Sequence, residues 1–219
     1  MSDDGSAAPN RLTRRKARTR AALIRAAQDF LAGGRLNAPI LEITQAADVG
    51  MGSFYNHFDS RDALFAAAIA DALDSYGAWF DALTEELPDP AQVFAQGFRL
   101  TGRLHRTAPT LSKVLLNSAS AIFESDRGLA PRARRDIETG MRAGRFRPRD
   151  PDLTMVVVVG AAVCLGQLLH DHPERDEAAS VDQVAEDLLC MLGVPAEEAR
   201  EICARPIPEL VAPPEVGAA

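Results

Sequence analysis

Apolar residues recur at intervals of three and four positions along almost the entire chain, which is the spacing of one face of an α-helix. This spacing predicts a first helix that ends at Gly33 and Gly34, followed by two short helices. A long fourth helix, capped by Asp59 or Ser60, is predicted to run to about Leu87. Strand-like alternation does not stand out, so the pattern predicts an all-α fold.

Further helices are marked by capping and proline signals. Asp89 before Pro90 and Asp150 before Pro151 each combine a capping side chain with proline at the first helical position. The other starts are predicted near Pro109, Pro131, Ser180 and Pro195, with ends at Gly144 and Gly193 for the second and third of these helices. The segment 117–127 is too irregular to assign.

The most hydrophobic segment runs from Leu153 to Leu169. It is shorter than the ~20 apolar residues that a bilayer requires, and it contains Thr154 and Gln167 between charged flanks. We therefore expect a buried helix of a soluble protein and no membrane span. Its small residues would let another helix approach closely; they are Gly160, Ala161, Ala162 and Gly166.

Residues 40–58 have the organisation of a helix-turn-helix. An apolar-patterned helix from Ile40 to Ala47 is followed by Asp48 and then by a second short helical segment. Phe54 and Phe58 are four positions apart, so both fall on one helical face and can anchor the segment to a small core. The polar residues around them suit phosphate oxygens and base edges in a DNA groove; they are Ser53, Tyr55, Asn56 and His57.

Charge is distributed unevenly along the chain, whose formal net charge is −7. Residues 1–65 contain nine basic and seven acidic side chains, whereas the remainder contains fifteen basic and twenty-four acidic ones. The basic residues concentrate near the N-terminus, at Arg11, Arg14, Arg15, Lys16, Arg18, Arg20, Arg25 and Arg35. This asymmetry is expected when one end of a protein faces phosphates, although a solvated basic arm without a ligand has the same composition.

Cysteine and histidine patterns indicate neither a metal site nor a catalytic site. The three cysteines form no CxxC pair and are predicted to be buried structural thiols in a reducing cytoplasm: Cys164, Cys190 and Cys203. No signal peptide is visible. No HExxH, GxSxG or glycine-rich phosphate loop occurs, so we expect no enzyme activity, no metal and no cofactor. A helical enzyme, and an interaction protein whose helix-turn-helix has lost DNA binding, remain as alternatives.

The order of a basic arm, a first helix, the segment ILEITQAADVGMGSFYNHFDSRDALF and a long helical region resembles the tetracycline-repressor (TetR) family of transcriptional regulators. The specific match covers residues 20–65, and the rest agrees in length and general pattern, including LGVPAEEA near the end. The resemblance implies an N-terminal three-helix helix-turn-helix domain followed by a helical ligand-binding and dimerisation domain. The expected division is 1–10 disordered, 11–60 DNA-binding, 61–205 ligand-binding and dimerisation, and 206–219 a loosely ordered tail.

The resemblance also implies a DNA-binding set, position by position. It consists of an arm (Arg14, Arg15, Lys16, Arg18), two residues at the groove edge (Thr44, Gln45) and the recognition segment with the following helix start (Met51, Gly52, Ser53, Tyr55, Asn56, His57, Arg61). Three positions depart from the family pattern. Asp48 stands where glycine is usual at the turn, Gly50 replaces a serine or threonine cap, and Met51 replaces a basic or polar residue, so that it is expected to touch a thymine methyl instead of a phosphate.

The resemblance implies a ligand-responsive transcriptional regulator that acts as a repressor. It would bind a palindromic DNA operator as a homodimer, and the two copies would meet through the helices near 151–170 and 180–193. A small, largely apolar effector would release it from DNA. The fourth helix joins the two regions and is the expected lever. Candidate ligand-lining residues on the later helices are Phe94, Phe98, Thr101, His105, Leu115, Phe123, Met155 and Val159.

Overall fold

A computed structural model describes residues 11–84, 87–118 and 129–208. Within these ranges the chain forms ten helices and no strand, which confirms the all-α prediction. The helices are α1 (Arg11–Ala32), α2 (Ile40–Ala46), α3 (Met51–Phe54), α4 (Arg61–Thr84), α5 (Pro90–Thr107), α6 (Pro109–Asn117), α7 (Leu129–Arg142), α8 (Pro151–Asp171), α9 (Glu177–Met191) and α10 (Ala196–Ala204). The predictions for 1–10 and for most of the tail lie outside the described residues.

Two hydrophobic cores organise the described residues. The first unites α1 to α3 with the start of α4, and its fully buried side chains include Leu23, Ile43, Phe54 and Leu64. The second is built from α5, α7, α8, α9 and α10. The first core also contains three residues from α5 and α6, which are Leu104, Leu111 and Val114. The N-terminal helices are therefore packed onto the larger helical region.

Most predicted helix starts are confirmed. The Asp89 carboxylate accepts a hydrogen bond from the amide of Ala91, and the Asp150 carboxylate accepts from Asp152 and Leu153. Ser60 Oγ likewise accepts from the amide of Ala63 at the start of α4. Capping side chains satisfy amides that have no partner inside the helix, which is why these boundaries could be predicted.

Two predicted boundaries are wrong. Asp176, not Ser180, caps α9: its carboxylate accepts from the amide of Ala179, and the helix begins at Glu177. The alanines that follow Asp176 favour helix, so α9 starts earlier than Ser180, whose hydroxyl donates to the Asp176 carbonyl. The fourth helix ends at Thr84, whereas Leu87 is not helical.

Helix α8 is buried on one side only. It is the one helix among the described residues that is long and apolar enough to cross a membrane, although the core helix of a soluble protein passes the same test. The prediction of a buried helix is correct for Thr154, Val158 and Leu165, but several apolar residues of the other face are exposed: Leu153, Val156, Val157 and Leu168. For the same reason Cys164 is exposed; Cys190 is half-buried, and the prediction of buried thiols is correct for Cys203 alone.

Candidate DNA-reading surface and ligand cavity

The turn of the helix-turn-helix is closed around Asp48. The amide of Val49 donates to the carbonyl of Thr44 over 2.9 Å, and Asp48 has a φ of +53°, in the left-handed region. Aspartate tolerates this conformation better than most residues, so the turn forms without the usual glycine, as predicted. Gly50 then occupies the N-cap of α3 and offers no side-chain cap.

The recognition segment is anchored by two aromatic rings. Phe54 is fully buried and Phe58 is 6% exposed, with ring centroids 6.1 Å apart, which confirms their predicted anchoring role. Helix α3 itself is only four residues long, so Tyr55, Asn56 and His57 lie in the turn that follows it and not within a longer helix. The amides of His57 and Phe58 both donate to the Phe54 carbonyl, which keeps this turn compact.

Most of the predicted DNA-binding residues are accessible. Tyr55 is 57% exposed and Met51 is 42% exposed. A Cβ added to Gly52 would meet no atom within 4 Å, so packing inside the chain does not require glycine there. Ser53, His57 and Arg61 are half-buried, and the remaining accessible members are exposed: Arg14, Arg15, Lys16, Arg18, Gln45 and Asn56.

Thr44 corrects the predicted set. Its side chain is only 1% exposed, and its hydroxyl donates to the Leu41 carbonyl over 2.9 Å. Thr44 follows Ile43 on the face of α2 that packs into the first core, so it is not presented to a groove.

The basic arm and the recognition segment lie close together. The pKa of His57 is lowered, mainly by burial and further by the positive charges of Lys16 and Arg20 on α1. The Arg20 guanidinium carbon lies 5.3 Å from the centroid of the Phe58 ring. The positive charge of α1 beside the recognition segment is a suitable environment for phosphate.

A cavity of about 110 Å³ lies between α4, α5, α6, α7 and α8. Six of the eight predicted ligand residues line it: Phe94, Phe98, Thr101, His105, Leu115 and Val159. Met155 is buried in the second core and does not reach the cavity, which corrects that prediction. Phe123 lies outside the described residues.

One polar group of the cavity wall is the pair His105 and Ser112. His105 Nδ1 lies 2.6 Å from Ser112 Oγ, which in turn lies 2.8 Å from Nε2 of His170. Burial, followed by the charges of His170 and Arg106, lowers the pKa of His105 to about 4. The ring is therefore neutral near pH 7. Thr101 also lines the cavity, and its hydroxyl donates to the Gly97 carbonyl within α5.

The other polar group of the wall is Asp136. Asp136 is 7% exposed, and burial raises the pKa of its carboxyl group. The Arg135 guanidinium, whose Nε lies 3.5 Å from Oδ1, offsets part of this rise. Arg132 nearby makes a two-pronged ion pair with Asp81, with Nε 2.8 Å from Oδ1. Ser112, His170 and Asp136 are not among the residues that the sequence predicts for this site. Asp136 was detectable, because it shares the inward helical face with Ala133 and Gly140.

Comparisons with known proteins agree with this arrangement. The family model for bacterial regulatory proteins of the tetR family matches residues 23–68, and the model for the tetracyclin repressor-like C-terminal domain matches residues 89–205. Among curated proteins no match is found.

Solved structures extend the likeness over most of the chain. RolR in complex with the ligand resorcinol is 34% identical, covers 90% of this chain and 98% of its own, and superposes with a TM-score of 0.62. RolR without ligand is 35% identical over 87% of this chain and 98% of its own, with a TM-score of 0.69. A gamma-butyrolactone receptor at 20% identity, covering 87% of this chain and 96% of its own with a TM-score of 0.57, shows the fold alone.

These matches account for both halves of the described molecule. Proteins of this family regulate transcription, bind DNA and small-molecule ligands, and are not enzymes. The exposed recognition segment and the cavity described above are the two parts that such a regulator requires. The chain therefore belongs to the TetR family of bacterial transcriptional regulators.

Proposed function

We propose that this protein is a cytoplasmic repressor that binds a palindromic operator as a homodimer and is released by a small, largely apolar effector. Helix α6 carries the proposal. Its residues Ser112, Leu115 and Leu116 line the cavity, whereas Leu111 and Val114 belong to the core that supports the helix-turn-helix. A ligand that displaces α6 therefore acts on the packing of the DNA-reading helices.

Helix α4 gives a second mechanical connection. Leu73 and Phe80 line the cavity, and Leu64, Phe65 and Ala68 belong to the first core. An effector changes DNA affinity only through its different affinities for the two arrangements of the protein. Helices α4 and α6 contact both the cavity and the first core, so a change at the cavity can be transmitted to the helix-turn-helix.

The proposed DNA surface consists of the accessible members of the predicted set: Arg14, Arg15, Lys16, Arg18, Gln45, Met51, Gly52, Ser53, Tyr55, Asn56, His57 and Arg61. Arg61 contacts Asp62, with Nη2 3.1 Å from Oδ1, and this exposed pair is weak enough to exchange for a phosphate contact. Basic residues supply affinity that falls with added salt, and Tyr55 and Asn56 supply positioning and base contacts.

The exposed face of α8 supports the homodimer. Leu153, Val156, Val157 and Leu168 are 64%, 53%, 47% and 37% exposed, and they form one stripe with Gly160 between them. A contiguous apolar stripe of this kind is characteristic of an interface. A twofold copy seated there, with contributions from α9, would present two recognition segments to half-sites roughly 34–36 Å apart or a multiple of that distance.

The cavity supports an effector with a single ring. Its volume of about 110 Å³ is close to that of engineered apolar cavities of roughly 150 Å³ that accept benzene. His105 at one place and Asp136 at another can each hydrogen-bond a hydroxyl group, and the remaining wall is mostly apolar. RolR, solved with resorcinol, makes a small phenol the first effector class to test.

Footprinting on the DNA that flanks the chain's own gene tests the proposal. We expect protection of a palindromic site at low salt, loss of affinity with added salt, and release by resorcinol. Tyr55→Ala should weaken binding at least tenfold, because the side chain is exposed on the recognition segment, where its ring packs edge-on against the anchoring Phe54.

Leu36→Ala is the matched control, since Leu36 is 46% exposed but lies in the loop between α1 and α2, outside the proposed surface. Its operator affinity should equal that of the wild type. Absence of protection at every protein concentration in low salt would contradict the proposed function.

A further inference from the structure

Three side chains from three helices form a hydrogen-bonded chain that begins at the effector cavity. His105 of α5 is 6% exposed and lines the cavity, Ser112 of α6 is 1% exposed, and His170 of α8 is half-buried. The two contacts measure 2.6 Å and 2.8 Å, and the two imidazole rings are 5.7 Å apart at 76° to each other. Nε2 of His105 has no hydrogen-bond partner among the described residues.

Glycine at position 166 makes room for this arrangement. A Cβ at Gly166 of α8 would lie 2.4 Å from Cε1 and 2.7 Å from Nε2 of His105. Side chains do not approach so closely, so alanine there would displace the imidazole ring. Glycine at position 166 therefore allows α8 to pack closely against the His105 ring.

The serine hydroxyl restricts how the chain can be protonated. Ser112 carries one hydrogen, so it can donate to only one of the two imidazoles and must accept from the other. In one setting His105 donates from Nδ1, Ser112 donates to His170, and Nε2 of His105 is a bare acceptor. In the opposite setting His170 donates from Nε2, Ser112 donates to His105, and Nε2 of His105 carries the hydrogen.

We propose that Ser112 and His170 determine the hydrogen-bonding character that His105 presents to the effector. While His170 is neutral, both settings are open, and a ligand hydroxyl selects the acceptor setting by donating to His105 Nε2. Protonated His170 must donate from Nε2, which leaves His105 with a donor only. Ser112 and His170 are thus positioning residues that decide which ligands His105 accepts, and the inference rests on the proposed function of the cavity as an effector site.

The protons balance without charging His105. When one proton is taken up, Nε2 of His105 gains a hydrogen from the cavity side, its Nδ1 hydrogen passes to Ser112, and the serine hydrogen passes to His170 Nε2. His105 remains neutral in its other tautomer, and His170 holds the added charge. The added hydrogen enters at His105 Nε2, and the other two hydrogens move along contacts that already exist.

The surroundings favour His170 as the group that charges. His105 is buried, and its pKa falls to about 4. Burial also lowers the pKa of His170, as do Lys113 of α6 and Arg106 of α5, whereas Asp171 on its own helix raises it. His170 is the more exposed of the two imidazoles, so added charge on this pair resides there.

Nitrogen NMR of the full-length protein with ¹⁵N-labelled histidine tests the chain directly, since the protein has only four histidines. As pH is lowered while the protein stays folded, we expect His170 to become doubly protonated. With the same midpoint, the mixture of neutral His105 tautomers should shift to the one that carries hydrogen on Nε2. In Ser112→Ala the His105 tautomer should no longer follow His170.

Phenol and anisole provide a matched pair of probes, because methylation removes the hydroxyl donor and leaves the ring. In the wild type the ratio of phenol to anisole affinity should fall by roughly tenfold as pH drops through the His170 midpoint, the value of one lost donor contact. In His170→Gln and in Ser112→Ala the ratio should not change over this range. The control His172→Gln, which alters an exposed histidine beside Glu174, should behave as the wild type.

The inference would be overturned by a His105 tautomer that ignores the titration of His170, or by one that still follows it in Ser112→Ala. A pH-independent ratio of phenol to anisole affinity in the wild type would also do so. If neither probe binds the wild type, the proposed single-ring effector is wrong, and the NMR measurement still decides whether the chain exists.

Discussion

Asp48 shows how one residue can keep the helix-turn-helix intact without the residue that the family normally uses. Its φ of +53° lies where a Cβ costs about 1–2 kcal/mol relative to ordinary helical backbone, and aspartate is one of the few residues with a side chain that adopt this region readily. Among the described residues it is the one non-glycine side chain with positive φ, beside Gly34, Gly144 and Gly193 at other helix ends. The turn is thus tolerated with a small conformational penalty.

We expect Asp48→Gly to be more stable than Asp48→Ala by about 1 kcal/mol, because glycine adopts the left-handed region without a Cβ clash. Chemical denaturation of both variants measures the difference. At the exposed helical residue Glu138 the same pair of substitutions should give the opposite sign, since alanine favours helix over glycine by about 1 kcal/mol. Equal stabilities at position 48 would show that the left-handed backbone is not retained.

At the scale of elements, α6 joins the cavity to the first core, which supports the helix-turn-helix. Its last residue, Asn117, donates from Nδ2 to the Leu31 carbonyl over 2.8 Å and to the Ala32 carbonyl over 3.3 Å. These are the final carbonyls of α1, which lack partners inside that helix. A single amide therefore ties the end of the cavity helix to the end of the first DNA-reading helix.

We expect Asn117→Ala to weaken the communication between effector and DNA more than either binding event. Operator affinity without effector should stay within about threefold of the wild type, whereas the reduction of operator affinity by saturating phenol should shrink roughly fivefold. Fluorescence anisotropy with labelled operator, with and without phenol, measures both. Thr107→Ala is the control, because its hydroxyl donates within α5 and does not contact α1. A full effector response in Asn117→Ala would contradict this role of α6.

For the molecule as a whole, the decisive surface is the apolar stripe of α8, which the fold leaves uncovered. Its exposed residues lie on the opposite side of the helix from the cavity-lining Val158 and Val159. One helix therefore contributes to the proposed effector site on one side and to the proposed dimer interface on the other. Such a position would allow ligand binding to alter the distance between the two recognition segments.

Val157→Asp should convert the proposed homodimer to monomer and lower operator affinity by more than tenfold, because a buried unpaired carboxylate is costly at an interface and one recognition segment alone holds one half-site. Analytical ultracentrifugation and operator titration measure the two effects. Ala143→Asp, at an exposed position just after α7 and outside the proposed interface, should leave both unchanged. A dimer that survives Val157→Asp would place the interface elsewhere.

The sequence by itself determined the helices, the cap residues such as Asp89 and Asp150, the aromatic anchors Phe54 and Phe58, and the left-handed turn at Asp48. These features depend on neighbours within four residues, whose geometry is fixed by the helix period.

Only the tertiary structure decided which helical faces meet. It buried Thr44, excluded Met155 from the cavity and left the outer face of α8 exposed. It also joined His105, Ser112 and His170. Their contacts bridge residues as many as fifty-eight positions apart. Helical spacing records which side chains share a face, but the packing of the helices against one another decides what that face touches.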